Sequence, residues 1–425
     1  MSIDQVQNSS ALVSASLSTL LVDQEKPISL YFHIPFCARR CGYCDFNTYT
    51  PAELRTAAKT NSEVELLSIT PSASTEEVVE VSAGFTDYLI TEFDLLRNAC
   101  GLEKPVIGSI FIGGGTPTLL AAHQYKTLFD HLRKNSTINN EVEITIEANP
   151  DTISLEYLQE LKAVGFNRIS MGMQSAVPHV LQTLDRTHNP ANVPAGVSAA
   201  RQAGFEEISV DLIYGTPGES FEDWQQSVEA ALSLPITHIS AYALIVEEGT
   251  KLARAISRSE IGELDDDLTA EKYMFAEEKF TQAGFEWYEL SNWAKPGSYS
   301  RHNYAYWQSG NWWGIGPGAH SHMEGMRWWN VKFPAKYQGL LNSKVIPVQD
   351  QEILDATAKR TESILLKIRL REGLPISELS EEGKNYLAQN SNSQWFDLKE
   401  FEKGMLVLTA QGRLLADAIV RHLTD

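Results

Sequence analysis

Residues 31–44 have the sequence Tyr31-Phe32-His33-Ile34-Pro35-Phe36-Cys37-Ala38-Arg39-Arg40-Cys41-Gly42-Tyr43-Cys44. An apolar, β-rich run ends here, and three cysteines follow in the pattern C-x3-C-x2-C. Three thiolates on one loop can bind three irons of a [4Fe–4S] cluster, because thiolate sulfur is the ligand that such clusters prefer. The fourth iron would lack a protein ligand, and a small molecule with an amine and a carboxylate could chelate it.

A zinc site or a disulfide fits the cysteine pattern less well. A zinc site needs a fourth ligand at regular spacing, and the chain has no second C-x2-C pair. A disulfide would leave one of the three thiols unpaired and requires an oxidising compartment. The fourth cysteine, Cys100, lies on a predicted helix, and we expect a buried structural thiol there rather than a cluster ligand.

Outward from this loop, apolar β-rich runs alternate with amphipathic helical patterns such as 87–98, 155–164 and 221–232. Ser220 and Asp223 form a helix start signal before the last of these patterns. The β-rich runs are 28–34, 107–112, 142–148, 168–173, 207–214, 238–244 and 285–290. Six strand–helix units predict a parallel sheet covered by helices, either as an incomplete barrel or as an open sheet. In both cases ligands are expected at the C-terminal ends of the strands.

Polar groups and glycines stand at these strand ends. Gly113-Gly114-Gly115-Thr116 ends the second run without the lysine of a P-loop, so the glycines favour close approach of a ligand to the backbone. Glu147 ends the third run, Gln174 ends the fourth, and Asp211 lies in the fifth. Residues at successive strand ends can surround one pocket.

Composition limits the class of protein. The net charge is −20, which argues against a nucleic-acid-binding protein, since such proteins need a basic face. No apolar run approaches the roughly 20 residues that span a bilayer, and no basic n-region of a signal peptide precedes one. We therefore expect a cytoplasmic protein. Residues 1–27 are rich in Ser and Gln and predict a flexible tail, and residues 51–83 predict a polar surface insertion.

The last part of the chain, 347–425, has helical patterns at 353–371 and 376–387, a hairpin pattern at 405–409 and a helical pattern at 412–422. This order is similar to a small winged-helix module. Acidic residues outnumber basic ones in this part. We therefore expect a structural or lid role rather than contact with DNA.

Together these motifs resemble the radical S-adenosylmethionine (SAM) superfamily, and more narrowly the oxygen-independent coproporphyrinogen III oxidase family. The resemblance is carried by the cysteine loop and by residues 113–118, 147–150, 171–174, 211–215 and 314–321. It implies an α/β fold: a three-quarter (β/α)6 partial barrel over 28–300 and a HemN-type, winged-helix-like C-terminal domain over 347–425. Residues 301–346 would be an aromatic-rich connecting segment.

The resemblance also implies a site. Cys37, Cys41 and Cys44 would hold the [4Fe–4S] cluster, and SAM would chelate its open iron. The reduced cluster would cleave SAM to methionine and a 5′-deoxyadenosyl radical. The positions that match SAM-contacting positions of the family are Tyr31, Tyr43, Gly114, Gly115, Thr116, Glu147, Gln174, Arg186 and Asp211.

Within the family the chain is similar to a haem chaperone branch. The oxidases have a fourth cysteine two residues after the third, where this chain has Phe46, and a longer N-terminal segment. The H-N-x-x-Y-W motif, His302 to Trp307, also resembles the chaperone branch. Seven of the nine tryptophans lie between Trp287 and Trp329, and flat aromatic faces with an imidazole suit a macrocycle that holds iron. Core packing is the alternative role of these aromatic residues.

These features predict a protein that binds haem, with His302 as a candidate iron ligand and His320 and His322 as rivals. Its partners would be haem-accepting respiratory or cytochrome proteins, with transient membrane association through them. Two alternatives stay open: an oxygen-independent coproporphyrinogen III oxidase, which decarboxylates its substrate to protoporphyrinogen IX, and a radical enzyme with another substrate. Whether the chain is an enzyme is therefore left open.

Overall fold

The computed structural model describes residues 3–20, 23–60, 77–78, 82–390 and 394–424. Twelve strands form one sheet in the order β12-β11-β10-β9-β1-β2-β3-β4-β5-β6-β8-β7. Strands β1 to β6 run parallel, and β9 pairs in parallel with the other side of β1. The strands are β1 (Ile28–Ile34), β2 (Val106–Gly114), β3 (Thr137–Ala148), β4 (Arg168–Gln174), β5 (Glu207–Tyr214), β6 (His238–Ala243), β7 (Glu286–Glu289), β8 (Asn292–Ala294), β9 (Asn311–Ile315), β10 (His320–Met323), β11 (Met326–Asn330) and β12 (Val348–Ile353).

Amphipathic helices cover the outer face of the sheet. The predicted start of one of them is confirmed, because Ser220 and Asp223 form a reciprocal capping box before α8. The helices are α1 (Ile3–Thr19), α2 (Pro51–Thr60), α3 (Phe85–Ala99), α4 (Ala122–Asn135), α5 (Leu155–Val164), α6 (Pro178–Thr183), α7 (Asn192–Gln202), α8 (Phe221–Leu232), α9 (Lys251–Ser257), α10 (Asp266–Gln282), α11 (Arg301–Trp307), α12 (Pro334–Asn342), α13 (Ala356–Lys367), α14 (Glu381–Gln389), α15 (Leu398–Glu402), α16 (Ala410–Arg413) and α17 (Ala416–Thr424).

The predicted partial barrel is confirmed. Residues from each of the strands β1 to β6 line one cavity, so the sheet curves around it. The run predicted at 285–290 is not a seventh parallel unit, because β7 pairs antiparallel with β8, and β8 pairs antiparallel with β6. Strand β4 is buried along its whole length. A strand enclosed by helices on one side and by the barrel interior on the other has this pattern.

The N-terminal segment differs from its prediction as a flexible tail. Residues 3–19 form helix α1, which packs against β12 and α3. Val13 and Leu17 are fully buried, whereas Leu12 on the same helix is 59% exposed. Burial of a narrow apolar stripe therefore orders a segment whose overall composition is polar. In the predicted insertion 51–83, residues 51–60 form helix α2, and most of the remainder lies outside the described residues.

The aromatic-rich segment, 301–346, is not a connection between two domains. It contributes α11, α12 and strands β9 to β11, and β12 continues the same sheet beyond residue 347. Trp313 and Trp328 are fully buried in the main core, which explains the density of tryptophan as strand packing. The separate C-terminal core includes residues from Ile364 onward, so the predicted boundary at 347 is placed too early.

The C-terminal unit is built from α13 to α17 and a two-stranded sheet. Its strands are β13 (Leu374–Pro375) and β14 (Met405–Leu406), which pair with each other across the unit. The predicted hairpin at 405–409 is therefore wrong, and Thr409 instead caps helix α16. Arg413 joins this unit to the barrel, because its guanidinium lies 2.7 Å from a Glu277 carboxylate oxygen and 4.0 Å from the ring centre of Trp287.

We predict that Leu17→Ala lowers the free energy of unfolding by about 2–5 kcal/mol, because it leaves a cavity beneath α1. The same change at Leu12 removes an exposed side chain and should cost less than about 0.5 kcal/mol. Denaturant unfolding of both variants, with limited proteolysis of the N-terminal segment, measures the difference. Equal stability and equal protease sensitivity of the two variants would contradict the docked helix.

Candidate functional site

The barrel encloses a cavity of about 1070 Å³ that reaches the C-terminal ends of the strands. Because alternate residues of a strand face the same side, the polar residues spaced two apart on each strand all point inward. The inward residues on β3 to β6 include Thr145, Glu147, Ser170, Gly172, Ser209, Asp211, His238, Ser240 and Tyr242. The inner wall thus carries polar groups on strands that are otherwise largely apolar.

The cysteine loop lies over this cavity and is held by backbone hydrogen bonds. The Cys37 N–H donates to the Tyr49 carbonyl at 3.0 Å, which closes the base of the loop. Gly42 connects the loop to two other elements, since its N–H donates to the Leu184 carbonyl at 3.3 Å and its carbonyl accepts from Leu252 at 2.9 Å. The loop is therefore docked at both its base and its tip.

The three thiols of this loop fit an iron–sulfur cluster. Burial, and then the charges of the neighbouring thiols, raise the pKa of Cys37 to about 12 and the pKa of Cys44 to about 11. Crowded thiols of this kind need a cationic partner to ionise at neutral pH. Among the described residues no three His, Cys, Asp or Glu side chains form a group that could hold a single metal ion. A [4Fe–4S] cluster does not require such a group, because each thiolate binds a different iron.

The glycines after β2 make room beside the cluster loop. Gly114 has φ +113°, a conformation that L side chains rarely adopt. A Cβ at Gly115 would lie 2.9 Å from the Cys37 sulfur and 2.5 Å from the Phe36 carbonyl oxygen. The N–H of Thr116 donates to that same carbonyl at 2.8 Å. The backbone here leaves a cradle that a larger residue would fill.

Two carboxyl groups face the cavity together. Glu147 accepts a hydrogen bond from the Gly114 N–H at 3.0 Å, and Asp211 accepts one from the Ser170 hydroxyl at 3.1 Å. Burial, followed by the charge of Asp211, raises the pKa of Glu147 to about 8. Burial also raises the pKa of Asp211, against the effect of its hydroxyl partners. A pair of buried carboxyl groups of this kind suits a cationic ligand.

The end of β4 carries the third part of the site. Gln174 has φ +63°, which is unusual for a residue other than glycine, and a Cβ at Gly172 would lie 2.6 Å from its amide nitrogen. The Arg186 guanidinium lies 3.2 Å from the Cys41 sulfur, and its Nε is buried without a hydrogen-bond partner in the described part of the chain. All twelve residues predicted for cluster and SAM therefore line one cavity, including Tyr31 and Tyr43.

The floor of the cavity was not foreseen. Helix α11 closes the end of the barrel where the strands begin, and its first N–H groups bind a buried carboxylate. Glu143 accepts hydrogen bonds from the N–H of Arg301 at 2.8 Å, from the N–H of His302 at 3.2 Å and from the Ser300 hydroxyl at 3.2 Å. The inward serines and His238 were missed as well. Polar residues at alternate positions of otherwise apolar strands were the signal for them.

The role of His302 as an iron ligand stays a prediction, and the structure shows how its imidazole is placed. It is buried in this floor, with Nδ1 2.8 Å from the Ser109 hydroxyl and Nε2 2.8 Å from the Tyr306 hydroxyl. The Ser109 hydroxyl donates to Ser29, so it accepts from His302 Nδ1, and the Nε2 lone pair then accepts from Tyr306. Burial lowers the pKa of His302 to about 3. The H-N-x-x-Y-W motif thus builds the floor, and its imidazole has no free nitrogen.

The other residues singled out from the sequence lie in different surroundings. His322 is buried, and both of its ring nitrogens are hydrogen-bonded to backbone groups of Gly310 and Gly325. His320 lies on the rim of the cavity and stacks on Trp329. The Cys100 sulfur lies 3.8 Å from the Met323 sulfur and does not line the cavity, as expected for a structural thiol.

Comparison with known proteins identifies the family of the chain. Residues 31–231 match the model of the radical SAM superfamily. The chain is 42% identical to the heme chaperone HemW of Mycobacterium tuberculosis over 402 residues, 94% of this chain and 95% of that protein. It is 32% identical to the heme chaperone HemW of Bacillus subtilis over 92% of this chain and 97% of that protein.

A solved structure shares the fold. Coproporphyrinogen III oxidase (HemN) of Escherichia coli, described as a radical SAM enzyme, superimposes with a TM-score of 0.76 over 96% of this chain and 93% of that chain, at 22% sequence identity. The partial barrel, the cysteine loop and the family match define a radical SAM protein of the HemN-like type. Within that class, the chain belongs to the HemW family.

We predict that the triple variant Cys37→Ala/Cys41→Ala/Cys44→Ala loses nearly all bound iron and sulfide after anaerobic reconstitution, because it lacks every thiolate of the loop. Iron and sulfide analysis with visible absorption measures this loss. Cys100→Ser is the matched control and should keep both, since that thiol packs outside the cavity. Wild-type iron content in the triple variant would disprove the assignment.

We predict a pH-dependent stability difference between the wild type and Glu147→Gln. The folded-state pKa of Glu147, about 8, lies above its ordinary value of 4.5, so the folded state holds a proton that the unfolded state releases. Wild-type stability therefore falls relative to the variant as pH rises from about 5 to about 8, and levels off above this window.

Thermal midpoints of both proteins from pH 5 to pH 9, measured without SAM and again with added SAM, provide the measurement. A cationic ligand favours the ionised carboxylate, so SAM should stabilise the wild type more than the variant at pH 8. A difference between the two proteins that stays constant from pH 5 to pH 9 would show that Glu147 does not titrate in this way.

Proposed function

We propose that this protein is a haem chaperone that binds haem and transfers it to haem-accepting respiratory or cytochrome proteins. The observation that carries the proposal is the 42% identity, over almost the whole of both chains, to a protein named heme chaperone HemW. An identity of this extent covers the cavity, the cysteine loop and the C-terminal unit together.

Three groups of residues would hold the cofactors. Cys37, Cys41 and Cys44 would bind the [4Fe–4S] cluster, and the glycine cradle with Glu147 and Asp211 would bind SAM. When bound, the cluster supplies one electron at a time at low potential. The protein holds the thiols in place through the docked loop, and it offers two buried carboxyl groups to a cation.

The cavity is large enough for a sizeable ligand. Its volume of about 1070 Å³ lies at the upper end of ligand pockets, which usually measure roughly 300–1,000 Å³. The mouth of the cavity carries exposed apolar side chains, among them Phe46 at 59% and Ile245 at 68% exposure. A large, flat and partly apolar cargo such as haem suits an opening of this kind.

The alternative function is oxygen-independent oxidation of coproporphyrinogen III. The shared fold with the Escherichia coli oxidase supports only the architecture at 22% identity. Phe46 occupies the position at which the oxidases are expected to have a fourth cysteine. The comparisons over the full chain favour the chaperone.

The net charge of the chain and the length of its helices limit which partners it could have. A net charge of −20 disfavours nucleic acid as a partner. Within the described ranges no helix is long and apolar enough to cross a membrane. A cytoplasmic location, and contact with membranes through haem-accepting proteins, stay predictions.

One preparation distinguishes the two functions. We predict that anaerobically reconstituted protein binds haem in about equimolar amount, and that it forms no protoporphyrinogen IX from coproporphyrinogen III when given a reductant and SAM. Haem titration by the Soret band and product analysis of the same sample measure both. Turnover of coproporphyrinogen III would overturn the chaperone in favour of the oxidase.

A further inference from the structure

Two exposed side chains stand at the rim of the cavity, on two adjacent segments of the chain. The first loop, 45–48, follows the last cluster cysteine and carries Phe46. The second loop, 316–319, joins β9 to β10 and leads into His320, the first residue of β10, whose side chain is exposed. Both loops line the mouth of the cavity. Neither Phe46 nor His320 takes part in the cluster or SAM site described above.

The first loop holds Phe46 in a fixed position. The Asn47 carbonyl lies 2.8 Å from His33 Nε2, and the Asn47 side-chain amide donates to the carbonyls of Pro317 at 2.9 Å and Lys332 at 2.8 Å. The exposed ring of Phe46 therefore stands on a loop anchored both to β1 beneath it and to the second loop beside it. An exposed phenyl ring on an anchored loop is a preformed apolar contact surface.

The residue that follows the second loop presents an imidazole. The His320 carbonyl accepts a hydrogen bond from the Trp312 indole at 2.9 Å, and the imidazole stacks on Trp329 with ring centres 5.7 Å apart and planes 19° apart. Neither ring nitrogen of His320 makes a hydrogen bond to the described residues. Lys332 lies close enough to act on His320 electrostatically.

The other imidazoles of the cavity are less available. His33, His238 and His302 each have both ring nitrogens within hydrogen-bond distance of a partner. His188 has neither nitrogen in a hydrogen bond of good geometry, but it is only 4% exposed and lies beside the Arg186 cation. His320 is exposed at the rim, so it is the imidazole of the cavity lining that a large ligand can approach most directly.

We propose that haem docks at this rim, with a ring nitrogen of His320 as axial ligand to the iron, the face of Phe46 against the macrocycle and the Lys332 ammonium beside a propionate. The inference rests on the proposed function and places the cargo at the mouth, not at the floor that His302 occupies. Imidazole is a common ligand of haem iron, and aromatic faces stack on flat rings. One side of the haem would remain open to solvent, so an acceptor protein could reach it without opening the barrel.

The test is haem titration of anaerobically reconstituted His320→Ala. We expect its haem affinity to fall by about tenfold or more, because removal of a metal ligand costs at least as much as removal of the groups that orient one. Added imidazole should restore the wild-type Soret band, which loss of a merely structural residue would not allow. Phe46→Ala should weaken binding and leave the ligand-field bands of the iron unchanged.

Two variants serve as comparisons. His123→Ala removes an exposed imidazole on α4, outside the cavity, and should bind haem as the wild type does. Iron–sulfur content and circular dichroism should match in all variants. If His320→Ala keeps wild-type affinity and Soret band, or if His188→Ala alone loses them, the rim site is wrong and the chaperone function stands. If the wild type itself binds no haem, the proposed function fails.

Discussion

The hydrogen bonds of one buried carboxylate decide how this partial barrel is closed. Glu143 is the second residue of the buried part of β3, after Val142, and it accepts hydrogen bonds from the N–H groups of Arg301 and His302 at the start of α11. Through this contact the segment after β8 leaves the sheet edge formed by β6, β8 and β7 and runs beneath the cavity as α11. The chain then emerges at the opposite edge, where β9 pairs with β1. Without that crossing, the curved sheet would be open at its base and the segment that carries the cavity rim would have no fixed position.

Because α11 closes the base of the barrel, polar side chains of the strands lie in a buried interior. Its wall presents Glu147 and Asp211, and burial raises the pKa of both carboxyl groups. Such an interior is unfavourable unless each group has a partner, and hydroxyl groups from neighbouring strands supply part of this need. A bound cation would lower the cost of ionising the two carboxyl groups, so the burial that raises their pKa also favours a cationic ligand.

Much of this arrangement could be predicted, because strand periodicity and strand ends are local properties of a sequence. Helices α5 and α8 and strand β5 have the predicted bounds, and the residues predicted for cluster and SAM lie together since parallel strands end at one edge. The position of His302 in the floor of the cavity could not be predicted this way. A histidine among aromatic residues has the same local sequence pattern whether it lies at the floor or at the mouth of a cavity. Only the path of the folded chain distinguishes the two positions. Helix α1 escaped prediction because its apolar stripe, with Val13 and Leu17, is narrow.

Proteins that share a fold but differ in chemistry can differ at positions where a substitution has little effect on the stability of the fold. The rim of the cavity is such a place. The loop that carries Phe46 is held by the Asn47 side chain and by backbone groups, not by the ring itself, which is 59% exposed. Exchange of the side chain at position 46 would therefore leave the cluster loop and the barrel in place. Changes at Glu143 would instead open the floor. The side chain at position 46 can therefore determine what the mouth of the cavity presents to a ligand without disturbing the cluster loop beside it.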